Sequence, residues 1–180
     1  LAEDHAGNPD SPGGQCLRIM LRTLTSVTTT WPGFVGEGAE LRLAAPRPEL
    51  LALAVHADRP GTLAYAVRRT VESAHAVREQ LSLDTWIVLG SLDRVLAELA
   101  ARALAAPAEP TLQPTLGRVL EGLLALAGLG AESMVRDAGW YFLDTGRRLE
   151  RSLQLVGLLR HALAQPQPPG AVALAPLALD

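Results

Sequence analysis

Apolar residues along the chain recur at helical rather than strand spacing. "QCLRIMLRTLTSVT" predicts a first helix from about residue 15 to 28, weakened at its end by β-branched Val and Thr. "WPGFVGEGAELRLAAPRP" is broken by Pro32, Gly33, Gly36 and Gly38 and predicts a connector, followed by a short helix in "PELLALAVHA". Asp58 and Pro60 mark the start of the next helix, where Leu63, Val67, Thr70, Ala74, Val77 and Leu81 alternate at four and three residues. Arg68–Glu72 and His75–Glu79 fall at pairing distance on its other face.

Ser82 predicts the cap of a helix through Ala105, with Trp86, Leu89, Leu96 and Leu99 as its buried stripe. Leu116, Val119, Leu120, Leu123, Leu124 and Ala127 give another helical face, ended by the "GLG" at 128–130. A last helix is expected from about 131 to 164, with Val135, Phe142, Leu149, Val156 and Leu163 as a seven-residue seam. Gly139 and Gly146 beside it suggest close approach by a neighbouring backbone. The expectation is an all-α chain, a bundle of about five or six helices over 15–164, with a loop or disordered stretch at 1–14 and a Pro-rich disordered tail at 165–180.

Composition sharpens this picture. Of 180 residues 48% are hydrophobic but only 4% aromatic, so the core must be built from Leu, Ala and Val. The net charge of −3 offers no global basic field for nucleic acid or an anionic membrane, and no apolar run is long enough to span one. All 16 basic residues are arginine, as GC-rich codons favour, so no lysine is available as a Schiff-base nucleophile. The single Cys16 excludes an internal disulfide and a paired-cysteine metal or redox site; it suits a reducing, cytoplasmic setting and reads as a small buried thiol. His5, His56, His75 and His161 show no metal-ligand spacing. There is no phosphate-binding loop, glycine-rich nucleotide fingerprint or nucleophile elbow. No catalytic residue, metal or cofactor is therefore assigned.

The segment "RDAGWYFLDTGRRLER" carries the most chemistry. Opposite the apolar seam lie Arg136, Trp140, Arg147, Glu150 and Arg151, with Asp137 adjacent. An ordinary solvated helix face explains the charges; a large aromatic beside arginine fits an interface or ligand site. If Glu72, Arg78 or Glu79 faced Arg147, Glu150 and Arg151 across the bundle, the group would form a pocket for a carboxylate or phosphate, with Trp140 as an apolar wall.

"MVRDAGWYFLDTGRRLER" resembles the signature of the alpha-E domain family, matching at Met134, Arg136, Asp137, Gly139, Trp140, Phe142, Gly146, Arg147, Leu149, Glu150 and Arg151. "AVREQLSLDTW" is similar to the family's second block at Val77, Arg78, Glu79, Gln80, Ser82, Asp84 and Trp86. The resemblance spans roughly residues 17 to 162. Departures stand at Val71, Ser73, His75 and Gly90, where relatives tend to carry Arg, Asn, Arg and Asn. The family's first Glu-Arg motif, on an N-terminal helix, has no counterpart here, which with the missing Met suggests a chain truncated at its N-terminus.

The resemblance implies a bacterial all-helical domain without an established activity of its own. Such domains are encoded beside, or fused to, a circularly permuted ATP-grasp protein and a transglutaminase-like protease. It therefore implies a non-catalytic partner in an ATP-dependent amide-forming system; the charge and the absence of a long apolar run exclude nucleic acid and membrane as partners. A ligand- or acidic-peptide-binding enzyme domain and an oligomerisation scaffold are the alternatives. An apolar exposed patch where the missing first helix belongs is expected of the scaffold.

Overall fold

The computed structural model describes residues 8–105 and 112–164, which hold seven α-helices, one 3₁₀ turn and no strand. The disorder expected at 165–180, and residues 1–7 of the expected N-terminal loop, lie outside them. The helices are α1 (Pro12–Thr28), α2 (Ala39–Ala44), α3 (Arg47–Val55), α4 (Leu63–Ala76), α5 (Leu83–Ala105), α6 (Leu112–Glu132) and α7 (Ala138–Leu163). They belong to two compact units, one of residues 1–50 and 147–180 and one of residues 51–146.

In the first unit α1 starts three residues earlier than its apolar period suggests. Ser11 caps it, its hydroxyl accepting from the Gly14 amide at 3.0 Å, and Pro12 fits the first turn, where no intrahelical donor is needed. The connector is less irregular than its glycines imply. Thr29 ends α1 in the left-handed region (φ 55°), and a tight loop then brings the Phe34 amide to the Thr25 hydroxyl at 2.8 Å. Gly33 (φ 44°) is required there, because a Cβ would stand 2.3 Å from Thr25 Oγ1 and 2.8 Å from the Thr30 carbonyl oxygen. Arg42 on α2 fastens the loop: its Nε donates to the Gly33 carbonyl, and its Nη2 to those of Val35 (3.3 Å) and Glu37 (2.7 Å). Phe34, Leu17, Leu21 and Leu43 are buried, and Cys16 is indeed a buried thiol, 3.9 Å from the Met20 sulfur. The α7 part of this unit comes close to α1 where Gly157 faces Val27.

The second unit is built on α4, α5 and α6, with Val67, Leu92, Val95, Leu96 and Val119 as its core. Thr62, not Asp58, caps α4: its hydroxyl accepts from the Tyr65 amide, while Asp58 pairs with Arg68 at 2.8 Å. The Asp58 carboxylate, by its hydrogen bond, raises the Arg68 pKa above the ordinary arginine value. Because α4 ends at Ala76, Val77 and Leu81 leave the expected seam and His75–Glu79 cannot pair as helical neighbours. His75 instead lies against Trp86, ring centroids 4.7 Å apart. Ser82 caps α5 as expected, its hydroxyl accepting from the Thr85 amide at 3.2 Å.

Two other expectations are corrected. Gly128 and Gly130 do not break α6, which continues to Glu132; the break falls at 133–137, so α7 starts at Ala138 and Val135 precedes it. The face of α6 turned to α5 is not the leucine-rich one. Thr115 and Val119 are buried and Gly122 abuts Leu92, whereas Leu116, Leu120, Leu123 and Leu124 are exposed. Small side chains let two helices approach closely, and that advantage outweighs the larger apolar face. Arg102–Thr115 (3.3 Å) and Arg118–Glu98 (3.3 Å) flank the same seam.

Candidate functional site

The signature segment of α7 divides into two parts of different character. The first, residues 136–142 in the second unit, is a helix start locked to its neighbours. Asp137 caps α7, Oδ1 accepting from the Trp140 amide at 3.0 Å. The Trp140 indole N–H donates to the Gly130 carbonyl at 2.7 Å, tying the start of α7 to the last turns of α6. Arg136 lies over the Trp140 ring, its guanidinium carbon 5.3 Å from the centroid, and Tyr141 meets that ring edge-on at 5.2 Å.

Gly139 is explained here too. A Cβ would stand 2.8 Å from Gln80 Oε1 and 3.2 Å from Asp137 Oδ1, so the close neighbour is a side-chain amide rather than a helix backbone. Gln80, which the sequence marks as part of the second block, thus lies against Gly139 of the last-helix block, a proximity that the sequence does not indicate. Gly146 has nothing within 4 Å where its Cβ would be, so close packing does not account for it.

Removing the tryptophan bond tests this joint. Trp140→Phe keeps the ring and loses the donor, leaving the Gly130 carbonyl without it. We expect a loss of about 1 kcal/mol in urea unfolding, with amide-exchange protection falling first around 128–141. A loss below a few tenths of a kcal/mol, with exchange unchanged, would mean that the bond does not hold the joint.

The second part, residues 147–151 in the first unit, is open to solvent. Arg147, Arg148, Leu149, Glu150 and Arg151 are all exposed. Among the described residues the side chains of Glu150 and Arg151 make no hydrogen bond or ion pair, and this is the chain's one Glu-Arg dipeptide. Leu149, Leu153, Val156 and Leu163 are exposed as well, at 52–65%, so none of the described residues covers the predicted seam along this stretch. Phe142, in the second unit, is 80% exposed.

The remaining sequence candidates have local partners in the second unit. Glu72 pairs with Arg68 (3.7 Å) and with Arg69 on its own helix. Arg78 and Glu79 sit on the 3₁₀ turn 3.9 Å apart, and Trp86 is half-buried against His75. Among the described residues no three His, Cys, Asp or Glu side chains group as metal ligands, and no helix is long and apolar enough to cross a membrane. Sequence reasoning also missed a charged group on the first unit. Arg18 and Arg22 both reach Glu40, at 2.5 and 3.1 Å. The Arg18 hydrogen bond, aided by both positive charges, holds the Glu40 carboxyl below its ordinary range against a smaller effect of desolvation. Arginines four apart on a helix and an acid in a glycine-rich connector carry no joint signal in sequence.

No solved structure matches the chain. It is similar to an uncharacterized protein of Mycobacterium bovis and to two of Mycobacterium tuberculosis, each 35% identical over 167 residues. The match covers 90% of this chain but only 19% of each relative, so the chain spans about a fifth of their length. The helical architecture, the exposed Glu150–Arg151 pair and a family match over residues 3–177 agree: the chain belongs to the Alpha-E family, described as a predicted alpha-helical domain with a conserved ER motif.

Proposed function

We propose that this chain is a non-catalytic docking domain of an ATP-grasp amide-forming system, presenting the Arg147–Arg151 segment of α7 to its partner. The carrying observation is that the chain's one Glu-Arg dipeptide, Glu150–Arg151, is solvent-exposed and, among the described residues, its side chains have no hydrogen bond or ion pair, in a family described by an ER motif. A motif that served packing would be buried or paired. The Glu150 and Arg151 side chains, open to water beside exposed apolar residues of the same helix, instead suit recognition by a second surface. The partner in this reading is a circularly permuted ATP-grasp protein or a fused ATP-grasp domain, with a transglutaminase-like protein as a further member, in the cytoplasm. The 19% coverage of longer relatives fits a module that works within a larger polypeptide or complex.

The test is binding of the purified chain to the ATP-grasp protein from the same genome, beside an Arg147→Ala/Arg151→Ala version of equal stability. The expected result is binding by the parent and a loss of about tenfold or more in the double variant. Equal binding by both would remove α7 as the dock, and no binding by the parent would remove the partnership. Arg147 and Glu150 are exposed rather than enclosed together, so the ligand-pocket alternative draws less support at these residues.

A second reading has its own observation. Leu116, Leu120 and Leu123 repeat at four- and three-residue spacing on an exposed face of α6, which suits an oligomerisation scaffold. Sedimentation equilibrium separates the readings, since a scaffold self-associates without the ATP-grasp protein and loses this on Leu120→Ser.

A further inference from the structure

We propose that the cleft beside α1 in the first unit, bounded by Arg22, Val35, Gly36, Gly38 and Leu41, is a carboxylate-binding subsite whose internal Glu40 stands in for the ligand. The proposal is independent of the docking role given to α7. Arg18 and Arg22 are one turn apart on α1, so both guanidinium groups leave the same face of the helix. Each takes one oxygen of the same carboxylate: Arg18 Nη2 meets Oε2 at 2.5 Å and Arg22 Nη2 meets Oε1 at 3.1 Å. Two charge-assisted hydrogen bonds, one from each guanidinium, thus grip both oxygens of a single carboxylate. Two cations against one anion leave a surplus positive charge. Among the described residues Glu40 is the one acid that either arginine meets.

The occupant is exchangeable while its receptor is held. The Glu40 side chain is 67% exposed, against 26% for Arg18 and 33% for Arg22, so it can turn to water at small cost. The far wall does not need ordering on binding, because Arg42 already ties the carbonyls of Gly33, Val35 and Glu37. The cleft measures about 460 Å³, within the range of small-ligand sites. Leu41, 79% exposed, and Val35 give an apolar ledge next to the charges. The fitting ligand is a carboxylate on a short aliphatic stem, as in a dicarboxylic acid, an acidic side chain or a peptide C-terminus.

The probe is glutarate, followed by amide chemical shifts of the whole chain at constant ionic strength, with neutral glutaramide as control. The expected result is saturable shifts at residues 35–41 with glutarate and none with glutaramide. Glu40→Gln removes the internal competitor and should tighten glutarate binding by about fivefold, the worth of an exposed ion pair. Arg22→Lys keeps the charge but loses the planar fork and should weaken it; that variant decides the matter if Glu40→Gln fails to fold. Equal response to glutaramide, or no shift in either the parent or Glu40→Gln at saturating glutarate, overturns the proposal. Two short peptides then assign the source of the carboxylate, one with a free C-terminus and no acid, one amidated with an internal Glu. A response to either supports the site, and a response to neither restricts it to free acids, where glutarate has already shown binding.

Discussion

Phe34→Ala should lower the stability of the first unit by about 3–5 kcal/mol, the cost of deleting a fully enclosed aromatic ring. Phe34 is 0% exposed although it lies in a connector of glycines and one proline, so the ring is the anchor that makes this connector part of the core. Its backbone is fixed from the other side by Thr25, whose hydroxyl accepts the Phe34 amide at 2.8 Å while leaning toward the Leu21 carbonyl at 3.4 Å. A companion variant separates ring from amide. Thr25→Val keeps the shape, strands a buried N–H and should cost about 1–3 kcal/mol. Urea unfolding followed by far-UV circular dichroism measures both. A Phe34→Ala loss below about 1 kcal/mol would show that the loop rests on the helices without completing their core.

The sequence reveals helices more faithfully than it reveals what they face. A period of 3.6 fixes which residues share a side, so α4 and α5 present Val67, Leu89, Leu96 and Leu99 inward as their spacing predicts. Boundaries depend instead on single capping groups. Thr62 displaced Asp58 because its hydroxyl also reaches the carbonyls of His56 and Arg59, a closure invisible until the turn is formed. Likewise Gly128 and Gly130 lower helix propensity without stopping α6, since two costs of about 1 kcal/mol each are within what tertiary packing offsets. The start of α7 is set seven residues later by Asp137, whose carboxylate and the Trp140–Gly130 bond provide what Ala131 has no means to provide.

The candidate site was legible as a composition and not as an arrangement. Arg136, Asp137, Trp140, Arg147, Glu150 and Arg151 stand out together in the sequence because they share a segment. Their roles diverge because a cap and an indole bond act only at a helix start, while residues ten or more positions later are one ordinary turn of exposed helix. Gln80 is visible in the sequence as a block residue but its place is not: it is set by proximity to a glycine 59 residues away, which leaves no periodic trace.

Leu99→Ala should cost about 2–5 kcal/mol, and the same measurement on α6 should give nearly nothing for leucines that the sequence places in a core. Leu99 is 0% exposed and lies on α5 with Leu89, Leu92, Val95 and Leu96, the inward side of the longest run of buried apolar residues in the second unit. Truncating it removes both the transfer free energy of the lost carbons and the contacts around the cavity they leave. Leu120 and Leu124 are 58% and 64% exposed, so Leu120→Ser and Leu124→Ser should stay within about 0.5 kcal/mol of the parent in the isolated chain. The contrast distinguishes two accounts of α6. If Thr115, Val119 and Gly122 form its packed side, the serine variants are neutral and gain solubility by shrinking an apolar face. If instead the leucine-rich side packs in solution, Leu120→Ser loses several kcal/mol, and Gly122→Ala becomes harmless rather than driving a Cβ to 2.6 Å from Leu92. Concentration dependence adds the last discrimination. A Leu120→Ser loss seen only at high protein concentration places that face in contact with another copy, because a contact between copies contributes stability by mass action whereas an internal one does not.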